Sequence, residues 1–547
     1  MLTLSYSNLK KYAFSALAIP FVIFAIGWLE WYWAVVAVSA TLACVWFGGF
    51  AKMKNIQDKK VVSISDAETT ISVKKWIWVL LIVIAFIWVW QSGIGGFWAQ
   101  SKDYPWRNAI YRDIVLRDWP VYYDSYDGAL AYYIGFWLPP ALFGKLALFM
   151  GAGDVAAFRV ASVAIYLWAA FLIVILFALL LTLLKADTTK KQLLVVLGFI
   201  FFSGLDILGS IEPLGANLYH LEWWANDYQY SSFTTCLFWV FNQSVIPWIA
   251  LACLLQEKTI RNYVYLGMMC LFSGPLPFVG FFIFCVALGV IKFVESVKNK
   301  KGISILKDIV SPSNILATAF IFIFIATYLL SNVAISGVGA LRVAEDSVIV
   351  KTESEVTESA VTESVGSEGV VEKGTAVNWD SIVQYLTFVF LEFGFYALLI
   401  GRRYYKKPLF YVAMVSLLLF PFFKMGRAAD FAMRASIPAL FYLYYLVMEF
   451  LIKEHHWMQK KGTTNRMLYI VLIVVCILGT ATPLVEFYRG CRQVALYTLD
   501  NPMEDYLYTL SGDGPMGEVE SGYVYANFMA VNPNQQTFFV YFAKDLQ

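Results

Sequence analysis

The chain has 547 residues, of which 60% are hydrophobic and only 15% charged, and its mean hydropathy is +0.64. A soluble protein carries about a quarter of its residues as charges, so this composition excludes a water-soluble globular fold. The net charge of +2 gives no reason to expect a nucleic-acid partner.

A helix that crosses the hydrocarbon layer needs about 20 apolar residues, and lipid leaves no alternative to helices for runs of this length. In chain order the candidate spans are Tyr12–Leu29, Trp31–Phe50, Trp76–Phe97, Val155–Leu184, Leu193–Ile211 and Phe233–Leu255. A short pair follows across Tyr263–Phe293, then Ile315–Val333, Ser381–Gly401, Leu409–Phe423, Ile437–Ile452 and Met467–Val485. The expected fold is therefore an all-α polytopic membrane protein with about 12–13 transmembrane helices. The first run leads straight into the second, so it reads as a span rather than a cleaved signal.

Orientation follows from lysine and arginine in the short connections. Lys10 and Lys11, the group from Lys52 to Lys75, Lys190 and Lys191, Lys258 and Arg261, Lys292 to Lys307, Arg402 to Lys407, and Lys453 to Arg466 all fall on one side. That side is expected to be cytoplasmic, with the N-terminus there and the C-terminal tail outside. The segment Ala129–Met150 is apolar enough to span, yet it holds Pro139, Pro140 and Lys145. It reads as a helix lying at the outer interface.

The expected organisation is an N-terminal hairpin and basic loop (1–75), a transmembrane core (76–333) with an outer loop at 98–154, an acidic outer loop (334–380), C-terminal helices (381–485) and an outer tail (486–547). Within the acidic loop, Glu345–Lys373 repeats Thr-Glu-Ser units and reads as low-complexity and disordered. The seven cysteines have no metal-site spacing and read as packing residues.

Three clusters on the outer side carry chemistry. The first runs from Asp103 through Arg107, Arg112 and Asp113 to Asp118 and Asp124. A carboxylate beside tryptophan and arginine at a membrane surface can act as a general base toward a hydroxyl. Asp103 is nearest a span end, with Asp113 second; for the other acids, mutual pairing with arginine is the simpler reading. The second cluster is His220-Leu-Glu222-Trp223-Trp224, followed by Asn242-Gln243. It could bind sugar hydroxyls or form an interfacial aromatic belt. The third runs from Lys424 through Arg427 and Asp430 to Arg434 and Ser436. Arg427, Asp430 and Arg434 are spaced to meet on a helical turn, either as a phosphate site or as a pair that locks two helices.

These features together resemble the GT-C superfamily of membrane glycosyltransferases. Trp76–Phe97 looks like the early span of that family, and Asp103 like its acid. Leu138-Pro139-Pro140, closing at Gly151 and Gly153, resembles the interfacial segment, and Ala157-Phe-Arg159-Val-Ala-Ser162 the opening of the next helix. The resemblance covers roughly residues 76–300 in pattern and the remainder in topology.

It implies a transferase of a bacterial cell envelope that uses a polyprenyl-phosphate-linked sugar donor and an envelope glycan or lipid acceptor. In that reading Asp103 or Asp113 is the base, while Arg159, Arg427 and Arg434 receive the leaving phosphate, with room for a divalent metal held by an acid. His220, Glu222, Trp223 and Asp430 line the substrate. A transporter or flippase of a lipid-linked saccharide is the alternative. It needs a polar path through the membrane, for which the sequence offers mainly Asp206 and Glu392. An envelope polysaccharide polymerase or ligase is a third reading.

Overall fold

A computed structural model describes residues 1–51, 70–123, 127–211, 220–299, 302–333, 379–423, 429–459, 464–500 and 528–546. Arg427, the Glu345–Lys373 stretch and residues 501–527 of the expected tail lie outside the described residues.

Strand β1 (Leu2–Ser5) leads into α1 (Tyr6–Trp28), whose first turn is closed by the Ser5 side chain accepting from the Asn8 amide at 3.3 Å. Next come α2 (Trp31–Phe50), β2 (Thr70–Val73) and α3 (Lys75–Gln91). The segment beyond α3 holds α4 (Tyr104–Leu116), β3 (Tyr122–Tyr123), β4 (Gly128–Leu130) and α5 (Leu138–Phe149). Then follow α6 (Asp154–Leu183), α7 (Thr189–Phe201), the short α8 (Asp206–Gly209), α9 (Phe233–Leu254), α10 (Tyr263–Ser273), α11 (Pro275–Lys298) and α12 (Gly302–Ile309). The chain continues through α13 (Pro312–Leu330), α14 (Trp379–Tyr404), α15 (Pro408–Phe422), α16 (Asp430–Ala435), α17 (Ile437–Lys453), α18 (Thr464–Gly479) and α19 (Ala481–Asp500). Strand β5 (Met529–Val531) and α20 (Thr537–Tyr541) complete it.

Among the described residues, nine helical segments are long and apolar enough to cross a membrane, and α18 with α19 counts as one of them. Shorter apolar helices, α3, α10 and α15 among them, pack between the long ones. The protein is an all-α, multi-pass membrane protein. α9 lies at its centre, with every residue but Trp239 buried. The outward faces of α2, α6 and α11 expose large apolar side chains such as Trp46, Phe171 and Phe282, as lipid contact requires.

The lysine-rich connections gather at one end. There β1 pairs antiparallel with β2, and the buried Glu257 accepts from Lys10 at 2.5 Å, Tyr6 at 2.6 Å and Asn262 at 3.0 Å. The opposite end holds α4, α5, α16 and a three-stranded sheet of order β3-β4-β5.

Several expectations change. Ala129–Met150 is not one helix: its first residues belong to β4, a 3-10 turn follows at Ile134–Phe136, and the α-helix α5 begins where Pro139 and Pro140 fit a first turn. The expected span Leu193–Ile211 is interrupted, because the backbone leaves the helix after Phe201 and resumes at Asp206. The expected tail begins as helix, since α19 runs through Glu486 to Asp500.

Candidate functional site

Two polar clusters are enclosed by the bundle, and a break in α9 serves both. Val240 departs from helical geometry (φ −135°, ψ 38°) and divides the helix. Trp239, before the break, faces one cluster; Gln243, after it, faces the other.

The first cluster lies at the end away from the lysines. Asp103 precedes α4, and Arg107 one turn later reaches back to it at 3.1 Å. The Asp103 side chain keeps 43% of its exposure, whereas Arg107 keeps 11%. Arg434 on α16 pairs with Asp430 at 2.8 Å, the i, i+4 pair that the spacing predicts. Tyr132 and Tyr133 lie in the field of both arginines and hydrogen-bond to one another through their hydroxyls. Gln243 donates to the Tyr133 hydroxyl at 3.0 Å.

Burial pushes both phenols above their ordinary range, so they stay protonated and able to donate. Burial opposes the Arg434 charge, but Asp430, Tyr133, Tyr132 and Asp103 outweigh it and raise its value. Among the described residues, Arg107 Nη1, Arg434 Nε, both polar atoms of the Asn242 amide and Gln243 Oε1 are buried without a hydrogen-bond partner. Buried donors are almost always satisfied, so these groups call for a polar partner that the described side chains do not supply.

The other expected site residues separate from this group. Asp113 is 1% exposed, accepts from the Tyr123 hydroxyl at 2.8 Å and faces Arg117 at 3.8 Å, an enclosed structural setting. Arg159 is exposed near the start of α6, close along the helix to the exposed Val160 and Val163.

His220, Glu222 and Trp223 belong to the second cluster. Asp206, on α8 beyond the unwound stretch, accepts from Ser203 at 2.9 Å and Thr482 at 2.7 Å. Glu392 sits in a π-helical turn of α14, within hydrogen-bond reach of Asp206, and accepts from Trp224 at 3.3 Å. Gly204 is required there: a Cβ on it would lie 2.3 Å from Glu392 Oε2. His220 Nδ1 meets Glu486 at 2.6 Å, and its Nε2 stands 3.7 Å from Glu222. Glu222 accepts from the Ser232 amide at 2.9 Å and from Gln229 at 3.1 Å. Glu486 also accepts from Trp239 at 3.0 Å and Arg489 at 2.5 Å.

Burial pushes the Glu222 carboxyl up to about 7, with His220 pulling down and Asp206 adding to the rise. Burial lowers His220, but Glu486 and Glu222 more than offset it, so its value is raised.

Sequence reasoning quoted Arg107, Asn242 and Gln243 without giving them roles, and it did not connect Tyr132, Tyr133 or Glu486 with any site. Two consecutive amides inside an apolar span were the readable signal for Asn242 and Gln243. Among the described residues, no group of three or more His, Cys, Asp or Glu is disposed to hold a metal ion. Asp103 and Asp430 each already face a guanidinium, so this donor set does not fit a metal. Compared with known proteins, the chain matches no family model, no curated protein and no solved structure.

Proposed function

We propose that the protein is an integral membrane glycosyltransferase of the GT-C type. It would move a sugar from a polyprenyl-phosphate donor to a cell-envelope acceptor on the outer side of a membrane, with the lysine-rich end cytoplasmic. The observation that carries this reading is the convergence of Arg107 and Arg434, each with an unsatisfied buried N–H, on two phenols and the Asp103 carboxylate.

In this chemistry the acceptor oxygen bonds to the anomeric carbon as the bond from that carbon to the phosphate oxygen breaks. The electron pair leaves with the lipid phosphate, the acceptor's proton goes to Asp103, and the anomeric carbon inverts. Negative charge grows on the departing phosphate, where preorganised N–H and O–H donors are most effective. Arg434 Nε, Arg107 Nη1 and the Tyr133 hydroxyl are suited to that work. An apolar groove of about 480 Å3 between α5 and α6, lined by Pro139, Pro140, Phe143, Val163 and Leu167, suits an isoprenoid chain.

The test is a mass-spectrometric profile of lipid-linked sugars and surface glycans in a deletion strain complemented with wild type, Asp103→Asn or Arg434→Ala. Accumulation of one polyprenyl-phosphate sugar, reversed by wild type and by neither variant, is the expected result. Unchanged profiles in the deletion strain would overturn the transferase reading.

A second reading, carriage of a lipid-linked saccharide, is favoured by the buried acids Asp206, Glu222, Glu392 and Glu486. They supply far more polar depth than the sequence suggested. Under it, an unglycosylated acceptor would persist while purified protein moves the intact donor across vesicles without cleaving it.

A further inference from the structure

Four carboxylates meet inside the bundle with two cationic partners. Asp206 is fully enclosed, while Glu222, Glu392 and Glu486 keep 1%, 4% and 1% of their surface. Opposite them stand His220 and Arg489. Among the described residues, with every group ionised, four negative charges face two positive ones, a surplus of negative charge. Tyr230 and Tyr396, the other titratable groups near Glu392, bring no positive charge. An interior that excludes water does not hold such a surplus. The carboxylates are strung out in successive contacts rather than gathered about one point, so a single cation cannot serve them, whereas protons can.

Two local contacts show where protons fit. Asp206 Oδ2 is filled by Ser203 and Thr482, but its Oδ1 has no hydrogen-bond partner among the described residues, and Glu392 faces Asp206. Two carboxyls in contact inside a protein share a proton rather than both ionising. At the other end of the cluster His220 lies between Glu486 and Glu222, with one ring nitrogen turned to each.

Water-sized cavities of about 10 Å3 border the network on both sides. One lies against Glu392, Ser203, Tyr230 and Ser232; the other lies against Glu486, Arg489, Gln100 and Ser101. The second reaches the segment that carries Asp103, two residues beyond Ser101. Each has room for one water and is bordered by carboxylate and hydroxyl groups.

We propose that this network is a proton-binding site: it holds one proton on Glu392, where that side chain faces Asp206, and it takes up and releases a second at Glu222. Uptake adds one proton to the Glu222 carboxylate and breaks no other bond. His220 keeps its contact with Glu486, and the negative surplus of the bundle interior falls by one. The position of the exchangeable site, with Glu222 pushed up to about 7, places that change near neutral pH. The proposal does not rest on the transferase reading, because its ligand is the proton and its readout is spectroscopic.

The test is infrared spectroscopy of the purified full-length protein in detergent, following the carbonyl stretch of protonated carboxyls. Wild type is expected to show two such bands. One is lost in Glu392→Gln; the other is lost in Glu222→Gln and fades in wild type as the pH is raised through about 7. Isotopically heavy glutamate shifts every protonated-glutamate band in the unmutated protein, and the shifted band that fades as the pH rises through about 7 is the one expected of Glu222, so the result stands even if a variant fails to fold. Absence of any protonated-carboxyl band at neutral pH in wild type would overturn the proposal. So would bands unchanged in both folded variants.

Discussion

Arg434 reaches Asp430 with one nitrogen, its Nε is buried without a hydrogen-bond partner among the described residues, and Tyr132 and Tyr133 act on its charge. A guanidinium offers donors in a fixed plane, and lysine does not reproduce them. Arg434→Lys should therefore lower kcat/KM for the phosphate-linked donor by roughly one to three orders of magnitude, the scale for losing one preorganised donor to a developing oxyanion. Steady-state assays with a synthetic donor check this; a variant within twofold of wild type would remove Arg434 from the phosphate role.

Glu222 and His220 predict a pH dependence of stability. Both have folded values above their unfolded ones, so both add stability that is complete at low pH and lost as the pH rises through the folded value. For Glu222 the loss runs from its ordinary value of 4.5 to about 7 and is on the order of 3 kcal/mol. The melting temperature should fall across that range, and Glu222→Gln should flatten the curve. A wild-type melting curve independent of pH would contradict both assignments.

At the scale of elements, α16 is held where α11 approaches it most closely. A Cβ on Gly280 would stand 2.1 Å from the Ala435 carbonyl oxygen and 3.0 Å from Pro438. Helix propensity alone says Gly280→Ala should stabilise by up to about 1 kcal/mol. The close contact says the reverse, a loss of about 1–3 kcal/mol from overpacking. Thermal denaturation of Gly280→Ala decides by its sign, and the same variant should impair activity because α16 carries Arg434.

The elements also show what the sequence could convey. Apolar run length located most of the helices, and the i, i+4 rule paired Asp430 with Arg434, because both are local properties. The break after Phe201 had a local signal in Ser203, Gly204 and Asp206, but the apolar runs on either side outweighed it. Sequence could not bring Glu486 to His220, at 2.6 Å and 266 residues apart, nor Arg107 near Arg434. Such meetings depend on how the helices pack, and neither hydropathy nor spacing encodes that directly.

For the whole molecule, the segment 528–546 ties separate parts together. Residues Met529–Val531 pair with β4, and Phe528 packs on Tyr132 with ring centroids 4.8 Å apart. The Phe542 carbonyl accepts from the Glu30 amide at 2.9 Å, while the Lys544 amide donates to the Trp28 carbonyl at 2.9 Å. Removing residues 528–547 should therefore lower thermal stability and reduce activity by displacing Tyr132, while the long helices still insert. Membrane-fraction yield, melting temperature and activity measured together test this. A truncated protein as stable and active as the full chain would show the segment to be dispensable.

That sheet sets a timetable for biogenesis. Leu130 pairs with Met529, 399 positions later in the chain. At about 5–20 residues per second of synthesis, one edge of β4 waits roughly 20–80 s for its partner. During that interval β4 and the aromatic residues around Tyr132 lack their cover, and an open strand edge invites pairing with other chains. Completion of this face therefore waits on the end of synthesis, long after the helices around β4 have been made, and until then the open edge needs shielding.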